Sequence, residues 1–495
     1  MKRRMLLNQL FVLCIPMLIP LCPCMAREGE NSSIPVVRLH VTYQKYDSAN
    51  PWKKGDNDSR SGYGCVLPSH KVITTAEIIK DCTFIKIEKS TTGECYPARV
   101  EVVDYDVDLA LLTVDDKSFF SNLAPLEFEL NARIDQTVHF MVFEDSGEIR
   151  AIPGTIVKVF VDDYTFSWTE YLLYGATVSF EGQSGGWGEP VFSQGKLIGL
   201  TMSYSSTKQY ARLIPAPIIV HFIEGIRHGK YLGFPYHGFW VTSLTDPVRK
   251  KYFGLPPDAN GIYVRNILPG GSAEGILRIG DVVTSVDGFN LDWGGNYRHP
   301  IWGRLDYQDR IARFHYPGET IELGIIRDGR PMKVRMQLKR FTPAQYLVPI
   351  MTYGAPPRYI IVGGLVIQEL TVDYLRTWGK NWQNTADKEF LYYSKYEFAK
   401  QQTDRKRIII LSKVLPDDVN VGYQGLKDLI IVSVNGRHIS TMDDVAEALR
   451  HPDGEFYRFT CVENSQEIIL DRAALPAADK RIAGRYGISK MQDAK

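Results

Sequence analysis

Gly182-Gln183-Ser184-Gly185-Gly186 is the stretch on which the reading of this chain turns. Apolar, strand-like runs flank it, residues 172–180 before and Pro190-Val191-Phe192 after. A serine among glycines, at a tight turn between strands, is presented as a nucleophile would be. Glycine lets the backbone take positive-φ conformations. The amides of Gly182, Gln183 and Ser184 can then converge on one point and hold a developing oxyanion. Taken alone, the pentapeptide reads equally as a hairpin loop.

Upstream, short β-rich runs occupy 36–42, 64–67, 72–75, 84–87, 98–103, 109–114 and 138–142, with turn residues between them. Helical periodicity first shows at 218–226. This is the pattern of an all-β barrel or sandwich.

Four blocks sharpen that reading. They are Gly62-Tyr63-Gly64-Cys65-Val66-Leu67, Lys71-Val72-Ile73-Thr74-Thr75-Ala76-Glu77-Ile78-Ile79, Asp106-Val107-Asp108-Leu109-Ala110-Leu111-Leu112, and the serine stretch itself. In this order and at these distances they resemble the HtrA/Deg family of trypsin-like serine proteases. The family's second block reads T-N-A-H-V-V, its third D-x-D-L-A-L-L and its fourth G-N-S-G-G-P. The resemblance implies two six-stranded barrels with an active site between them, Ser184 as nucleophile and Asp108 as the triad aspartate. Residues 195–203 would form the strand that walls the substrate cleft. The histidine position falls on Glu77.

That departure bears on mechanism. A serine hydroxyl is a weak nucleophile until a base takes its proton, and that base must then protonate the leaving amine. Imidazole titrates near neutrality and does both. An exposed glutamate titrates near ~4.3, too acidic to be a poised base at neutral pH. Beside Asp108, Glu77 either repels the second carboxylate or holds a proton. Losing the base of such a triad costs about 10⁶ in turnover. His70, in a turn seven residues before Glu77, and His139, within a later strand, are the alternative bases. Trp187-Gly188-Glu189 is inserted before Pro190, which puts an indole where the cleft should be open, and Gln183 replaces the family's asparagine.

Two further domains follow. Tyr236-His237-Gly238-Phe239-Trp240-Val241 resembles the carboxylate-binding loop and second strand of a PDZ domain. Leu277-Arg278-Ile279-Gly280-Asp281-Val282-Val283 with Val286-Asp287-Gly288 resembles the PDZ hairpin of the HtrA proteins. The implied mechanism is β-augmentation, with a peptide added along the strand from Phe239 and its carboxylate capped by amides at Gly238 and Phe239. His237 and Trp240 complete that edge. A long insertion covers 292–304. Tyr359-Ile360-Ile361-Val362-Gly363-Gly364-Leu365-Val366 and Leu429-Ile430-Ile431-Val432-Ser433-Val434-Asn435-Gly436 resemble the second PDZ domain of plant-type Deg proteases. There Gly364, Leu365 and Val366 take the peptide-binding positions. The expected fold is mainly β, a trypsin-like double β-barrel followed by two PDZ domains (α+β). Its boundaries are 1–26 signal peptide, 33–231 protease-like domain, 232–342 and 343–475 PDZ domains, and 476–495 C-terminal tail.

Composition narrows the partners. Length predicts about three domains. Residues 1–26 carry Lys2-Arg3-Arg4, an apolar run and Cys24-Met25-Ala26, the layout of a secretory signal. A membrane anchor and a lipoprotein signal at Cys22 are the alternatives. Removing those three cations from 58 leaves 55 basic against 57 acidic residues, a formal −2. Such a surface favours protein or peptide partners over nucleic acid. No later segment is long and apolar enough to span a bilayer. Cys65, Cys82, Cys95 and Cys461 lack metal-site spacing and read as free thiols, with one disulfide among the first three open to an exported chain. No metal and no cofactor are expected. The function expected is that of an exported, periplasmic or envelope pseudoprotease. It would bind unfolded proteins or peptide C-termini as chaperone, adaptor or regulator, in a trimer-based homo-oligomer or with an active homologue. The rivals are an active serine endopeptidase with a non-standard base, and a purely structural envelope protein.

Overall fold

The computed structural model describes residues 35–493 apart from 91, 122, 124–125, 145, 168, 181–184, 228, 343–344, 351, 396–404, 453 and 463–466. Its first twelve strands close into two six-stranded barrels. The first barrel uses β1 (Val36–Tyr43), β2 (Asp58–Leu67), β3 (Lys71–Thr74), β4 (Cys82–Lys89), β5 (Cys95–Asp104) and β6 (Leu109–Val114), in the order β1-β2-β3-β6-β5-β4. The second uses β7 (Thr137–Phe143), β8 (Ile149–Asp163), β9 (Glu170–Val178), β10 (Pro190–Ser193), β11 (Lys196–Ser205) and β12 (Tyr210–Pro215), in the order β10-β11-β12-β9-β8-β7. Alternation along β1 sends Val37, Leu39 and Val41 inward to meet Ile85, Ile87 and Leu112. Closure leaves neither sheet an open edge.

Two barrel strands that the sequence pattern did not announce are β8 and β12. β8 runs through Pro153-Gly154, pairing His139 with Pro153 and Val138 with Gly154.

A helix, α1 (Ala76–Ile79), follows β3, and α2 (Ala216–Glu224) leads out of the second barrel. The second domain is a sheet ordered Phe239–Ser243, Ile262–Ile267, Val282–Val286, Thr320–Arg327, Arg330–Gln337, with the helix Tyr307–Ala312 beside it. Its Asp287-Gly288 turn has φ 47° and 78°, and Asn435-Gly436 in the third domain has 51° and 75°. These two-residue hairpins need both central residues at positive φ, which Asp-Gly and Asn-Gly tolerate.

The second domain is not hung on a linker. One continuous apolar core joins Tyr174 and Phe222 of the barrel region to Phe239 and Trp302. Trp302 Nε1 donates to the Ala132 carbonyl at 2.8 Å. The 292–304 insertion is therefore a docking element, a hairpin of Asn296–His299 and Gly303–Asp306.

The third domain's sheet runs Glu467–Asp471, Phe456–Cys461, Leu429–Val434, Ile409–Val414, Leu365–Glu369, Tyr359–Val362, Gln492–Asp493. The stretch 476–495 is thus not a tail as far as 493. The helix Leu475–Tyr486 packs Ala478 and Ile482 on Tyr359, Ile361 and Val366, and Gln492 pairs with Ile360. All four cysteines among the described residues are free thiols, Cys65 and Cys461 buried and Cys95 exposed. Residues 1–34, which include the expected signal, lie outside the described residues.

Candidate active site and peptide-binding edges

Gly182, Gln183 and Ser184 lie outside the described residues, so the site is defined by the groups around them. Asp108 sits at the turn into β6 with φ 51°, a left-handed position that a short polar side chain tolerates. It is 1% exposed. Its Oδ1 accepts the Glu77 N–H at 2.8 Å, and its carbonyl accepts the Ala76 N–H at 3.1 Å. Burial pushes the Asp108 carboxyl well above the usual carboxylate range; the amide bond works against that shift and the Glu77 charge adds to it. The main chain at position 77 is thereby fixed to Asp108.

The side chain of Glu77 goes elsewhere. Its Oε1 accepts from Lys80 Nζ at 2.6 Å, one turn along α1. The Lys80 ammonium lies 5.4 Å from the Phe166 ring centroid and 5.6 Å from that of Tyr353. Arg60 clamps the same turn from below, donating to the Glu77 and Lys80 carbonyls. Tyr353 comes from the start of the third domain and packs on Tyr105 at 5.0 Å and Phe166 at 5.3 Å. The next residue, Gly354, donates its N–H to Asp81 Oδ1 at 3.0 Å. Glu77 is therefore held by a lysine inside an aromatic cage to which a remote domain contributes.

The insertion after the serine also organises its own loop. Trp187 is 38% exposed. Glu189, wholly buried, turns its carboxylate back onto its own loop, Oε2 accepting the Gly186 N–H at 3.0 Å and Oε1 the Trp187 N–H at 3.1 Å. Burial raises the Glu189 carboxyl, and these amide bonds oppose the rise. The same carboxylate, after burial itself, helps push Tyr63 up to about 12. Gly188, at φ 82°, faces the first barrel: a Cβ there would lie 3.2 Å from Thr75 Oγ1.

Neither alternative base joins this group. His70 stacks on Phe120 at 5.1 Å, and His139 lies exposed on β7 opposite Phe192. Among the described residues no group of three or more His, Cys, Asp and Glu side chains could hold a metal ion.

Among the described residues, Phe239–Ser243 is the edge strand of its sheet, paired with Ile262–Ile267. Gly238 has φ 76°, and a Cβ there would lie 2.8 Å from the Ser272 nitrogen, so the turn requires glycine. The Phe239 amide is already engaged, donating to His237 Nδ1 at 3.3 Å, while His237 Nε2 lies 3.0 Å from Gln308 Oε1. Burial pushes His237 down to about 4, so the neutral imidazole is the acceptor here. Phe239 is buried, stacked on Tyr307 at 5.9 Å.

The third domain's edge differs from expectation. Leu365 and Val366 lie in a strand paired with Tyr359–Val362 on one side and Ile409–Val414 on the other, so no peptide can add there as a strand. A Cβ on Gly364 would lie 2.3 Å from the Leu415 carbonyl oxygen, and the Gly363 amide donates to Asp479 at 2.7 Å. This turn is filled by the chain itself.

A PDZ domain family model matches residues 348–494. Two Arabidopsis thaliana proteins match nearly the whole chain. Protease Do-like 2, chloroplastic, is 27% identical over 465 residues, 93% of this chain and 74% of the relative. Protease Do-like 4, mitochondrial, is 24% identical over 462 residues, 92% and 84%. Among solved structures, that of an HtrA-type protease, an AlgW variant with a decapeptide, superposes with a TM-score of 0.50 at 18% identity, covering 63% of this chain and 97% of that one. The chain's relatives are thus HtrA/Deg-family proteases, and its fold is theirs. The relatives' names place them in chloroplast and mitochondrion; nothing in them supports the bacterial periplasm.

Proposed function

We propose that the chain is a proteolytically silent member of this group that binds unfolded or C-terminal peptide segments, acting as chaperone, adaptor or regulator. The observation that carries the reading is the Glu77–Lys80 pair. The position from which a base would take the serine proton holds a carboxylate whose oxygen is engaged by an ammonium at 2.6 Å. The Glu189 carboxylate on the Gly186 and Trp187 amides supports it, because a carboxylate already bound by the loop's amides disfavours a second, developing anion there. Peptide capture would use the open edge Phe239–Ser243, with His237, Gly238 and Trp240. Targeting by residues 1–26 and a trimer-based homo-oligomer, or an assembly with an active homologue, complete the proposal.

A second reading, an active serine endopeptidase with a non-standard base, draws on the protease names of the relatives and on the intact bond from Asp108 to the amide of residue 77. Incubation with casein separates the two. The proposal expects no cleavage by the wild type and a measurable gain in Glu77→His. Cleavage by the wild type that Ser184→Ala abolishes would replace it with the second reading.

A further inference from the structure

At the head of the edge Phe239–Ser243, the Phe239 amide already donates to His237 Nδ1 at 3.3 Å. On its other side the ring meets Gln308, at the start of the helix Tyr307–Ala312, with Oε1 3.0 Å from Nε2. Gln308 in turn donates through its own Nε2 to Glu170 Oε2, at the start of β9. The imidazole is 7% exposed. It packs against the rings of Tyr236, Phe239 and Tyr307, at 4.7, 4.7 and 5.5 Å.

The two ends of this relay fix the protons within it. A carboxylate only accepts, so Gln308 presents its NH₂ to Glu170 and its oxygen to the imidazole. That oxygen also only accepts, so the imidazole carries its proton on Nε2. The Phe239 amide only donates, so Nδ1 is bare. The neutral ring satisfies both neighbours, and burial holds it neutral. A peptide carboxylate that takes the Phe239 amide brings another acceptor up to bare Nδ1. Two acceptors then face each other with no proton between them. Moving the proton from Nε2 to Nδ1 only transfers the conflict to Gln308 Oε1. The imidazolium, with a proton on each nitrogen, is the one form that satisfies carboxylate and Gln308 together.

We propose that His237 reads the terminal carboxylate of a polypeptide in this groove, each carboxylate binding together with one solvent proton taken up at His237 Nδ1. The inference rests on peptide capture at this edge. The carboxylate then accepts from both the Phe239 amide and the imidazolium, a charge-assisted set. No covalent bond changes except that new N–H. In the free protein the ring takes a proton only near about 4, and a bound carboxylate raises that value. Between the two values binding takes up a proton, so affinity rises as pH falls, by up to about tenfold per unit. Other titratable groups surround the ring. Glu170 reaches it through Gln308, and Asp306, the helix cap, is pushed by burial up to about 7. Tyr236 and Tyr307 bring phenols. Lys339, bridged to Tyr236, turns its ammonium to the Gly270 carbonyl at 3.4 Å. Asp306 and Glu170 are therefore the rival proton acceptors.

The test is titration calorimetry of the full chain with acetyl-Gly-Ser-Thr-Phe-Val, free or amidated at its C-terminus. Buffers of different ionisation enthalpy at pH 7.5, 6.5 and 5.5 report the protons exchanged. The free peptide should take up a fraction of a proton that grows toward one as pH falls, and should gain affinity with it. The amidated peptide should do neither. His237→Phe should bind the free peptide without uptake, whereas Asp306→Asn, which keeps a capping side chain, should retain the uptake. Gln308→Leu removes the acceptor at Nε2, so the neutral ring can carry its proton on Nδ1. That variant, changed at a half-buried helix start, should fold as wild type, still prefer the free peptide and lose the uptake. Binding of the free peptide with no proton uptake overturns the inference and leaves peptide capture standing. So does uptake that survives His237→Phe or is unchanged in Gln308→Leu. Absence of saturable binding by either peptide overturns both.

Discussion

The main-chain amide of Glu77 donates to Asp108 at 2.8 Å, while the Glu77 carboxylate points away to Lys80 at 2.6 Å. The backbone frame around Asp108, the aspartate proposed for the triad, is therefore in place, and the Glu77 side chain is tied elsewhere.

Replacing Glu189 with Gln should destabilise the protein by about 1–3 kcal/mol, because an amide has one acceptor oxygen for two main-chain donors and turns an NH₂ toward the other. Denaturant unfolding of the variant checks this. An unchanged midpoint would mean that the carboxylate does not organise the loop.

Trp302→Ala should cost about 3–5 kcal/mol and loosen the second domain from the barrels, since the indole is buried and donates to Ala132 across the contact. Limited proteolysis should then cut between 226 and 238. Resistance equal to wild type would show that the domain is held by other contacts.

Two buried histidines predict acid lability. His221, stacked on Tyr316 at 4.1 Å, and His237 are each pushed down to about 4 by burial. The unfolded chain binds these protons near 6.5 and the folded chain only near 4. The stability they contribute is therefore complete above 6.5 and lost as pH falls toward 4, on the order of 3 kcal/mol per histidine across the window. Asp106 and Asp108, raised by burial, act in the opposite sense and make folding more favourable as pH falls. The difference is best read in a variant: His221→Phe should lose less melting temperature than wild type between pH 7 and 4.5. Parallel losses would contradict it.

At the open edge of the second domain, a peptide with an apolar C-terminal residue and a free carboxylate should bind more tightly than its amidated form, by about 1–3 kcal/mol. Titration calorimetry with the two peptides decides. Equal affinities would remove the carboxylate-loop assignment, and the His237 imidazole on the Phe239 amide would then be the reason.

Much of the barrel pair was legible because closure rewards alternation: residues 109–114 are the strand Leu109–Val114, and 36–42 falls one residue short of Val36–Tyr43. The two hairpins were legible because Asp-Gly and Asn-Gly carry their own backbone geometry. The strand through Pro153-Gly154 was hidden because a proline and a glycine are poor strand formers, and only barrel pairing holds them there. At the site, Lys80 was within reach of sequence reasoning, as an i,i+3 partner of Glu77. Tyr353 was not, because no local pattern links residues 276 positions apart, and only the docking of the third domain brings them together. Glu189 looked like part of an inserted plug; that its carboxylate returns to the amides before it is a property of the loop's path. The doubly paired strand at Leu365 was missed because a glycine pair announces a turn without saying which side of the next strand is covered.

The central claim is that Ser184 has no base to activate it. The direct measurement is covalent labelling by a fluorophosphonate probe at neutral pH, read by mass spectrometry at Ser184, with Ser184→Ala as control and Glu77→His alongside. The account predicts no Ser184 adduct in the wild type and a measurable adduct in Glu77→His. A Ser184 adduct on the wild type, absent from the alanine control, would contradict it.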